Sequence, residues 1–361
     1  MKPMHGTGKH YPTMIIGAGQ AGLAAGYYLQ KHETEFRILT GDQQIGDPWR
    51  NRWDSLRLFT PTFYNSLPGL EFPGEHPEYL PFKDEVAEYL ISYAETFALP
   101  VQLETRVTAI DSDDPVFVLQ TSRGTFTTDN LIVATGAFSH PDLPGFHNAL
   151  PREVYQCHSS EYTNPDQLVP GDVLVVGAGN SGTQISTEIT LSSGNSRTVW
   201  LSGRDTGRIP RRLLGRDIYR WLLPTLGRIN TDSWLGSRLR DKARSSGDPV
   251  FAPVHQAMLD AGVQRIGRTV GVESGQPVIE DLGAIEVTNV IWCTGFRPEF
   301  SWIHLDIFHH DGYPRHQNGV VEEVPGLYFL GLPFLSHIGS SLIGGVGKDA
   351  QYVTNHLVTR E

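Results

Sequence analysis

One six-residue pattern occurs twice: Gly17-Ala18-Gly19-Gln20-Ala21-Gly22 and, 160 positions later, Gly177-Ala178-Gly179-Asn180-Ser181-Gly182. Each copy follows a short apolar run, Thr13 to Ile16 or Val173 to Val176, and opens a helical pattern that in the first copy lasts to about His32. A second apolar run comes next, Phe36 to Leu39 and Thr198 to Leu201. Each copy also has a distal strand ending in Thr-Gly, Leu131 to Gly136 and Val290 to Gly295, and Thr135 and Thr294 stand 118 and 117 positions after the first glycines. A lone GxGxxG is weak evidence, because small residues tighten many turns. Two copies in strand-turn-helix context with matched distal strands predict an α/β chain with two dinucleotide-binding, Rossmann-like units.

In such a unit the first glycine makes the turn, the second lets backbone approach a pyrophosphate, and the third allows helix and strand to pack closely. The pyrophosphate rests on the helix N-terminus, where free N–H groups and the dipole favour an anion. Two dinucleotides in one chain point to a flavin and a nicotinamide, with electrons passing between them. A carboxylate roughly 20 residues after the motif usually binds the ribose. The first copy has Thr40 at that place, with Asp42 two residues on and Glu35 before the strand as substitutes. The second copy runs into Ser202-Gly203-Arg204, and a basic residue there suits the 2′-phosphate of NADPH. Arg208, Arg211 and Arg212 follow, in a stretch from 204 to 244 that holds ten arginines and Lys242 against four aspartates. Most of these arginines read as a solvated helical cover, with Arg204 the exception by position.

Composition narrows the partners. The chain has 361 residues, 39% of them hydrophobic, and 29 basic residues against 40 acidic give a net charge of −11. That balance argues against nucleic acid or an anionic membrane and leaves small molecules as the default partner. No apolar run reaches the ~20 residues of a membrane helix, and the apolar stretch from Met14 to Leu29 is broken by glycines, Gln20 and Tyr27-Tyr28. The two cysteines, Cys157 and Cys293, form neither a CxxC pair nor a local disulfide framework, which fits a cytoplasmic chain. The histidines show no metal-ligand spacing, so no metal is expected. Gly347-Lys348 lacks the leading glycine and the Ser or Thr of a phosphate-binding loop, and no GxSxG occurs.

Taken together, GAGQAG at 17, Gly46-Asp47-Pro48-Trp49, Ala134-Thr135-Gly136, GAGNSG at 177, Thr294-Gly295-Phe296-Arg297-Pro298 and Pro325 to Gly331 resemble the class B flavin-dependent monooxygenases. That group includes the flavin-containing, YUCCA-type and Baeyer–Villiger enzymes, and the likeness is greatest to its short bacterial flavoproteins. The resemblance implies FAD on the first motif, with Gly46, Trp49 and Thr60 near the flavin, Val107 near the adenine and Gly331 in the same site. It implies NADPH on the second motif and an FAD unit split into residues 1–160 and 297–361 around an NADPH unit at 161–296. The family's identifying motif, FxGxxxHxxx(W/F/Y), survives only as His158 and Tyr162. By position that segment is an interdomain linker in which His158 orients the nicotinamide.

The chemistry implied by the resemblance is hydride transfer from NADPH to the flavin, addition of O2 to give a C4a-hydroperoxyflavin, and oxygenation of a small soft nucleophile, N or S, or of a carbonyl. Cofactors carry that chemistry, and the protein orients and shields them. Phe59 is expected to wall the flavin ring and Asn65 to hydrogen-bond the peroxide. The competing reading is that Phe59 packs in a proline-rich loop and Asn65 makes a turn. A helix from Lys348 to Leu357, preceded by Gly344, Gly345 and Gly347, would aim its N-terminus at the reduced ring. Two rivals stay open: an NADPH oxidase or flavin reductase without oxygenation, and a redox-sensing nucleotide-binding subunit linked to cation transport. A homodimer is the commonest assembly on base rates.

Overall fold

The computed structural model describes residues 8–360 except 75, 195, 221–228, 230, 232, 235, 237 and 239–248. The first sheet is built on β1 (Lys9–Ile16), whose residues from Thr13 to Ile16 are at most 5% exposed. A strand covered on both faces needs an unbroken apolar run, and this is why Thr13-Met14-Ile15-Ile16 does not alternate. The strand begins at Lys9 rather than Thr13 because Lys9, His10 and Tyr11 already pair with Phe126, Thr127 and Thr128. It leads into α1 (Gln20–Lys31) and β2 (Phe36–Leu39). Then follow α2 (Lys83–Thr96), β3 (Val101–Gln102), β4 (Val107–Asp113), β5 (Val116–Thr121) and β6 (Gly124–Val133). The order is β3-β2-β1-β6-β5-β4, parallel from β3 to β6 and antiparallel from β6 to β4.

A second sheet repeats the plan. It contains β7 (Tyr155–His158), β8 (Val173–Val176), α3 (Asn180–Ser193) and β9 (Val199–Ser202). Next come α4 (Ala252–Ala261), β10 (Gln264–Ile266) and β11 (Asn289–Trp292). The order is β10-β9-β8-β11-β7, parallel throughout. Alternate residues serve opposite faces: Val173 and Val175 enter one core, Leu174 and Val176 the other. The segment expected to be a linker thus contains a strand, since Tyr155 to His158 pair one for one with Asn289 to Trp292.

The chain then returns to the first sheet. Strand β12 (Leu327–Phe329) pairs with β6, and α5 (Ile343–Arg360) packs on α1. Helix α5 starts five residues before the expected Lys348, so its glycines lie inside the helix. A Cβ on Gly344 would stand 1.5 Å from the Tyr64 carbonyl oxygen, and one on Gly345 2.0 Å from that of Gly339. These glycines therefore permit close packing rather than a turn.

The two passages between the sheets run side by side, Phe296 and Arg297 pairing antiparallel with Pro141 and His140. Elsewhere Trp53, 4% exposed, is buried in the core of the second sheet although it lies between β2 and β3 in the chain. Around it Asp54 N–H donates to the Thr163 carbonyl at 2.8 Å, and the Asn164 amide donates to Asp54 at 2.9 Å.

Candidate functional site

Both glycine motifs sit where strand order reverses, between β1 and β6 and between β8 and β11, at the carboxyl ends of the strands. Ligands of open α/β sheets bind at that place. The two frames match bond for bond. Gly17 N–H donates to the Leu39 carbonyl at 2.7 Å, and Gly177 N–H to that of Ser202 at 2.8 Å. Ala134 N–H reaches the Ile16 carbonyl at 2.8 Å, and Cys293 N–H that of Val176 at 2.7 Å. Gly17 and Gly177 have φ of 107° and 113°, a region that favours glycine.

The glycines divide by what a side chain would meet. A Cβ on Gly17 would lie 2.6 Å from the Ala134 oxygen, and one on Gly22 1.9 Å from that of Gly17. The second copy repeats this, 2.1 Å from Gly177 to Cys293 and 1.8 Å from Gly182 to Gly177. Gly19 and Gly179 differ, because nothing lies within 4 Å of a Cβ at either position. The fold explains the first and third glycines, whereas the second faces open space beside a helix N-terminus with no side-chain cap. Two such cradles fit the pyrophosphates of two dinucleotides.

Around the first cradle Gln20 donates from Nε2 to the Ser341 carbonyl at 3.4 Å, and Gly331 approaches Ala21 so closely that a Cβ would stand 2.9 Å from it. The buried Thr40 hydroxyl donates to Asp42 Oδ2 at 2.7 Å, so the two residues form one unit. Glu35 is exposed at the other end of β2, roughly 15 Å away at strand rise, and is removed as the substitute. Gly46 (φ 90°) packs against Ala87, Trp49 is half-buried on the first core, and the half-buried Val107 opens β4. Thr135 is exposed and Gly136 has φ of 72° as the chain leaves β6.

In the second half Asn180 is a brace, accepting from Phe251 N–H at 3.2 Å and donating to the Pro249 carbonyl at 3.4 Å, and Ser181 is half-buried beside it. Ser202 is fully buried and its hydroxyl bonds the Gly267 carbonyl at 2.8 Å and Thr269 Oγ1 at 2.7 Å, which turns it away from a ligand. Arg204 is exposed at the strand end. The Thr294 hydroxyl donates to the Asp142 carbonyl. His158 is 2% exposed, with Nδ1 2.8 Å from Ser160 Oγ and Nε2 3.0 Å from the Gly295 carbonyl. Both ring nitrogens are engaged, so the ring clamps the second passage instead of pointing at a ligand. Burial holds the His158 imidazole below its ordinary range, with the Gly295 carbonyl acting the other way.

Phe59 stacks on Phe251, centroids 4.6 Å apart at 10°, and Tyr219 also stacks on Phe251, at 5.7 Å and 18°. The Tyr219 hydroxyl donates to the Phe59 carbonyl at 2.9 Å. Asn65 is fully buried; its amide donates to the buried Thr60 carbonyl at 2.9 Å, and its Oδ1 has no partner among the described residues.

The family model described as pyridine nucleotide-disulphide oxidoreductase matches residues 14–213. An uncharacterized CzcO-like oxidoreductase of Geobacillus kaustophilus is 42% identical, over 96% of this chain and 97% of its own. The indole-3-pyruvate monooxygenase YUCCA4 of Oryza sativa subsp. japonica is 29% identical, over 96% and 87%. A doubly substituted mutant of a flavin monooxygenase from Stenotrophomonas maltophilia superposes with a TM-score of 0.77 at 25% identity, over 98% and 99%. The chain belongs to the class B flavin-dependent monooxygenase family. This member of the family is a flavin-dependent oxidoreductase with an FAD- and NADP-binding fold.

Several features of this family member had no signal in the sequence. Phe251, Tyr219, His255 and Arg265 lie far in sequence from the glycine motifs and obey no spacing rule. Of the arginine-rich stretch, Arg211 pairs with Asp217 at 2.6 Å and Arg212 with Glu78 at 3.0 Å, while Arg228, Arg240, Lys242, Arg244, Asp232 and Asp241 lie outside the described residues. Burial pushes the Cys157 thiol up to about 11 and raises Cys293 as well, so neither supplies a thiolate near neutral pH. Among the described residues no three His, Cys, Asp or Glu side chains gather to hold a metal, and no helix is long and apolar enough to cross a membrane.

Proposed function

We propose that the chain is an FAD- and NADPH-dependent monooxygenase that passes one oxygen atom of O2 to a small soft nucleophile, N or S, or to a carbonyl. The observation that carries this reading is the pair of matched cradles, each with its second glycine in open space. FAD belongs on the first, held by Gly17, Gly19, Gln20, Ala21 and Gly22, with the Thr40–Asp42 unit for the adenosine ribose and Val107 for the adenine. Gly46, Trp49, Thr60, Ala134 to Gly136 and Gly331 would hold the rest of it. NADPH belongs on the second, with Gly177, Gly179, Asn180, Ser181 and Gly182 at the pyrophosphate, Arg204 at the 2′-phosphate, and Thr294 and Gly295 at the passage. The FAD unit is then split around the NADPH unit at the paired passages His140–Pro141 and Phe296–Arg297, the boundary expected at 160 moving back because Tyr155–His158 is a strand of the second sheet. The bound flavin supplies hydride acceptance and activation of oxygen.

The chain's own part is to orient the reactants and to keep water out of the site in which the bound flavin would supply its chemistry. The stack of Phe59, Phe251 and Tyr219 is apolar cover suited to that task. Asn65 would keep its Thr60 bond and offer its remaining amide hydrogen. His158 would act at a distance, by fixing Gly295. Two unpaired thiols in an acidic chain fit a reducing cytoplasm.

The test is anaerobic reduction of the yellow protein by NADPH, followed by oxygen in the presence of an amine, a sulfide or a 2-oxo acid. The last class comes first, because of the relatives named as indole-3-pyruvate monooxygenases. The expected result is an oxygenated product with less peroxide than NADPH consumed. Stoichiometric peroxide with every class would make the protein an oxidase, and no reduction would remove the electron path between the cradles.

A further inference from the structure

The second cradle has a buried polar group that the foregoing reading does not use. His255, in the first turn of α4, is 7% exposed, and its Nε2 has no hydrogen-bond partner among the described residues. Helix α4 ends at Ala261 and β10 starts at Gln264, parallel to β9. The helix therefore runs back along the sheet, and its first turn stands at the carboxyl ends of the strands, where β9 delivers Gly203 and Arg204. Arg265 of β10 reaches the same place, donating from Nη2 to the Gly203 carbonyl at 3.2 Å and the Arg204 carbonyl at 3.4 Å. Arg208 Nη2 lies 3.9 Å from Asp205 Oδ2, and Gly207 N–H donates to Asp205 Oδ1 at 3.0 Å.

The charges that face His255 are thus Arg208, Arg265 and Asp205. Its own helix adds Asp260, which is exposed and bonded to Gln256 at 2.8 Å. Helix α3, packed against α4, carries a single carboxylate, Glu188, which accepts from the Tyr162 hydroxyl at 2.9 Å. Two guanidiniums against one carboxylate leave an excess of positive charge around an imidazole that already lacks a partner. Burial first, then Arg208 and Arg265, hold that imidazole below its ordinary range, while Asp205 acts against them.

We propose that His255, Arg208 and Arg265 complete a 2′-phosphate pocket beside Arg204, in which His255 takes up a proton as the phosphate enters. This rests on the reading of the second cradle as the NADPH site. A dianionic phosphate reverses the field that keeps the ring neutral. NADH presents a hydroxyl at that position and brings no such charge. The preference for NADPH over NADH therefore rises as pH falls, with the 2′-phosphate affinity changing by up to about tenfold per pH unit between the free and bound pKa values of the ring.

The experiment is calorimetric titration of the purified holoprotein with 2′,5′-ADP and with 5′-AMP, in two buffers of different ionisation enthalpy at pH 7.5. The second ionisation of a phosphate ester, near about 6, is complete there, so proton uptake belongs to the protein. The proposal expects uptake with 2′,5′-ADP and none with 5′-AMP, and loss of that uptake in His255→Gln, with His255→Asn as a second variant should the first not fold. No uptake in the wild type, or the same uptake in the variants, overturns the role of His255 alone. Equal affinity for the two ligands overturns the whole 2′-phosphate pocket, Arg204 included. If neither ligand binds, the NADPH reading of the cradle falls with it.

Discussion

Gly19 and Gly22 stand three positions apart, yet their replacement by alanine should fail in opposite ways. Gly19→Ala puts a methyl group into open space, so the folded state is kept, even gaining about 0.4 to 1 kcal/mol from a stiffer unfolded chain, while flavin retention drops. Gly22→Ala drives its methyl into the Gly17 carbonyl, 1.9 Å away, and should cost at least the ~1–3 kcal/mol of overpacking. Thermal melting and the ratio of flavin to protein absorbance separate the two. At the other cradle, Arg204→Ala should raise the KM for NADPH several-fold and leave that for NADH nearly unchanged; equal effects on both would remove Arg204 from the 2′-phosphate. The glycines were legible in the sequence because their reasons are local, a turn and a helix start within six residues. His158 and Ser202 were not, since their partners Gly295 and Gly267 lie 137 and 65 positions away.

Elements were legible where they are buried on both faces, as in β1, β2 and β8, whose unbroken apolar runs announce them. Strand β7 reads Tyr-Gln-Cys-His, too short and too polar to declare itself, and exists because β11 offers it a parallel edge. The start of α5 is masked in the sequence because its opening glycines look like a turn until Tyr64 is seen against them. The segment carrying Trp53 is an element that belongs to one sheet by sequence and to the other core by packing. Trp53→Ala should cost about 3 to 5 kcal/mol, and the loss should fall on the cohesion between the sheets. Scanning calorimetry is expected to split one unfolding transition into two, whereas a single lowered transition would show that Trp53 supports only its local core.

At the scale of the whole molecule, stability carries the imprint of a half-buried acid. Burial raises the Glu188 pKa, against hydrogen bonds from Ser55 and Tyr162 that lower it. The folded state thus holds this proton more tightly than the unfolded chain, so its contribution is full below the unfolded value near about 4.3 and fades as pH rises through the folded one. Glu188→Gln removes the titration, and its urea midpoint should fall less than that of the wild type between pH 4 and 7. A parallel decline in both proteins would assign the slope to other groups.

The paired passages at His140–Pro141 and Phe296–Arg297 also have an evolutionary reading. Because the chain departs for the second sheet and comes back at adjacent points, everything between them hangs from the first sheet like a cassette on two neighbouring pins. Such a module can change length in its outer loops without moving the ends it is spliced to, so long as the core that receives Trp53 is kept. An insertion in those loops leaves the strand register of the first sheet untouched, because both ends of the module are pinned at one place.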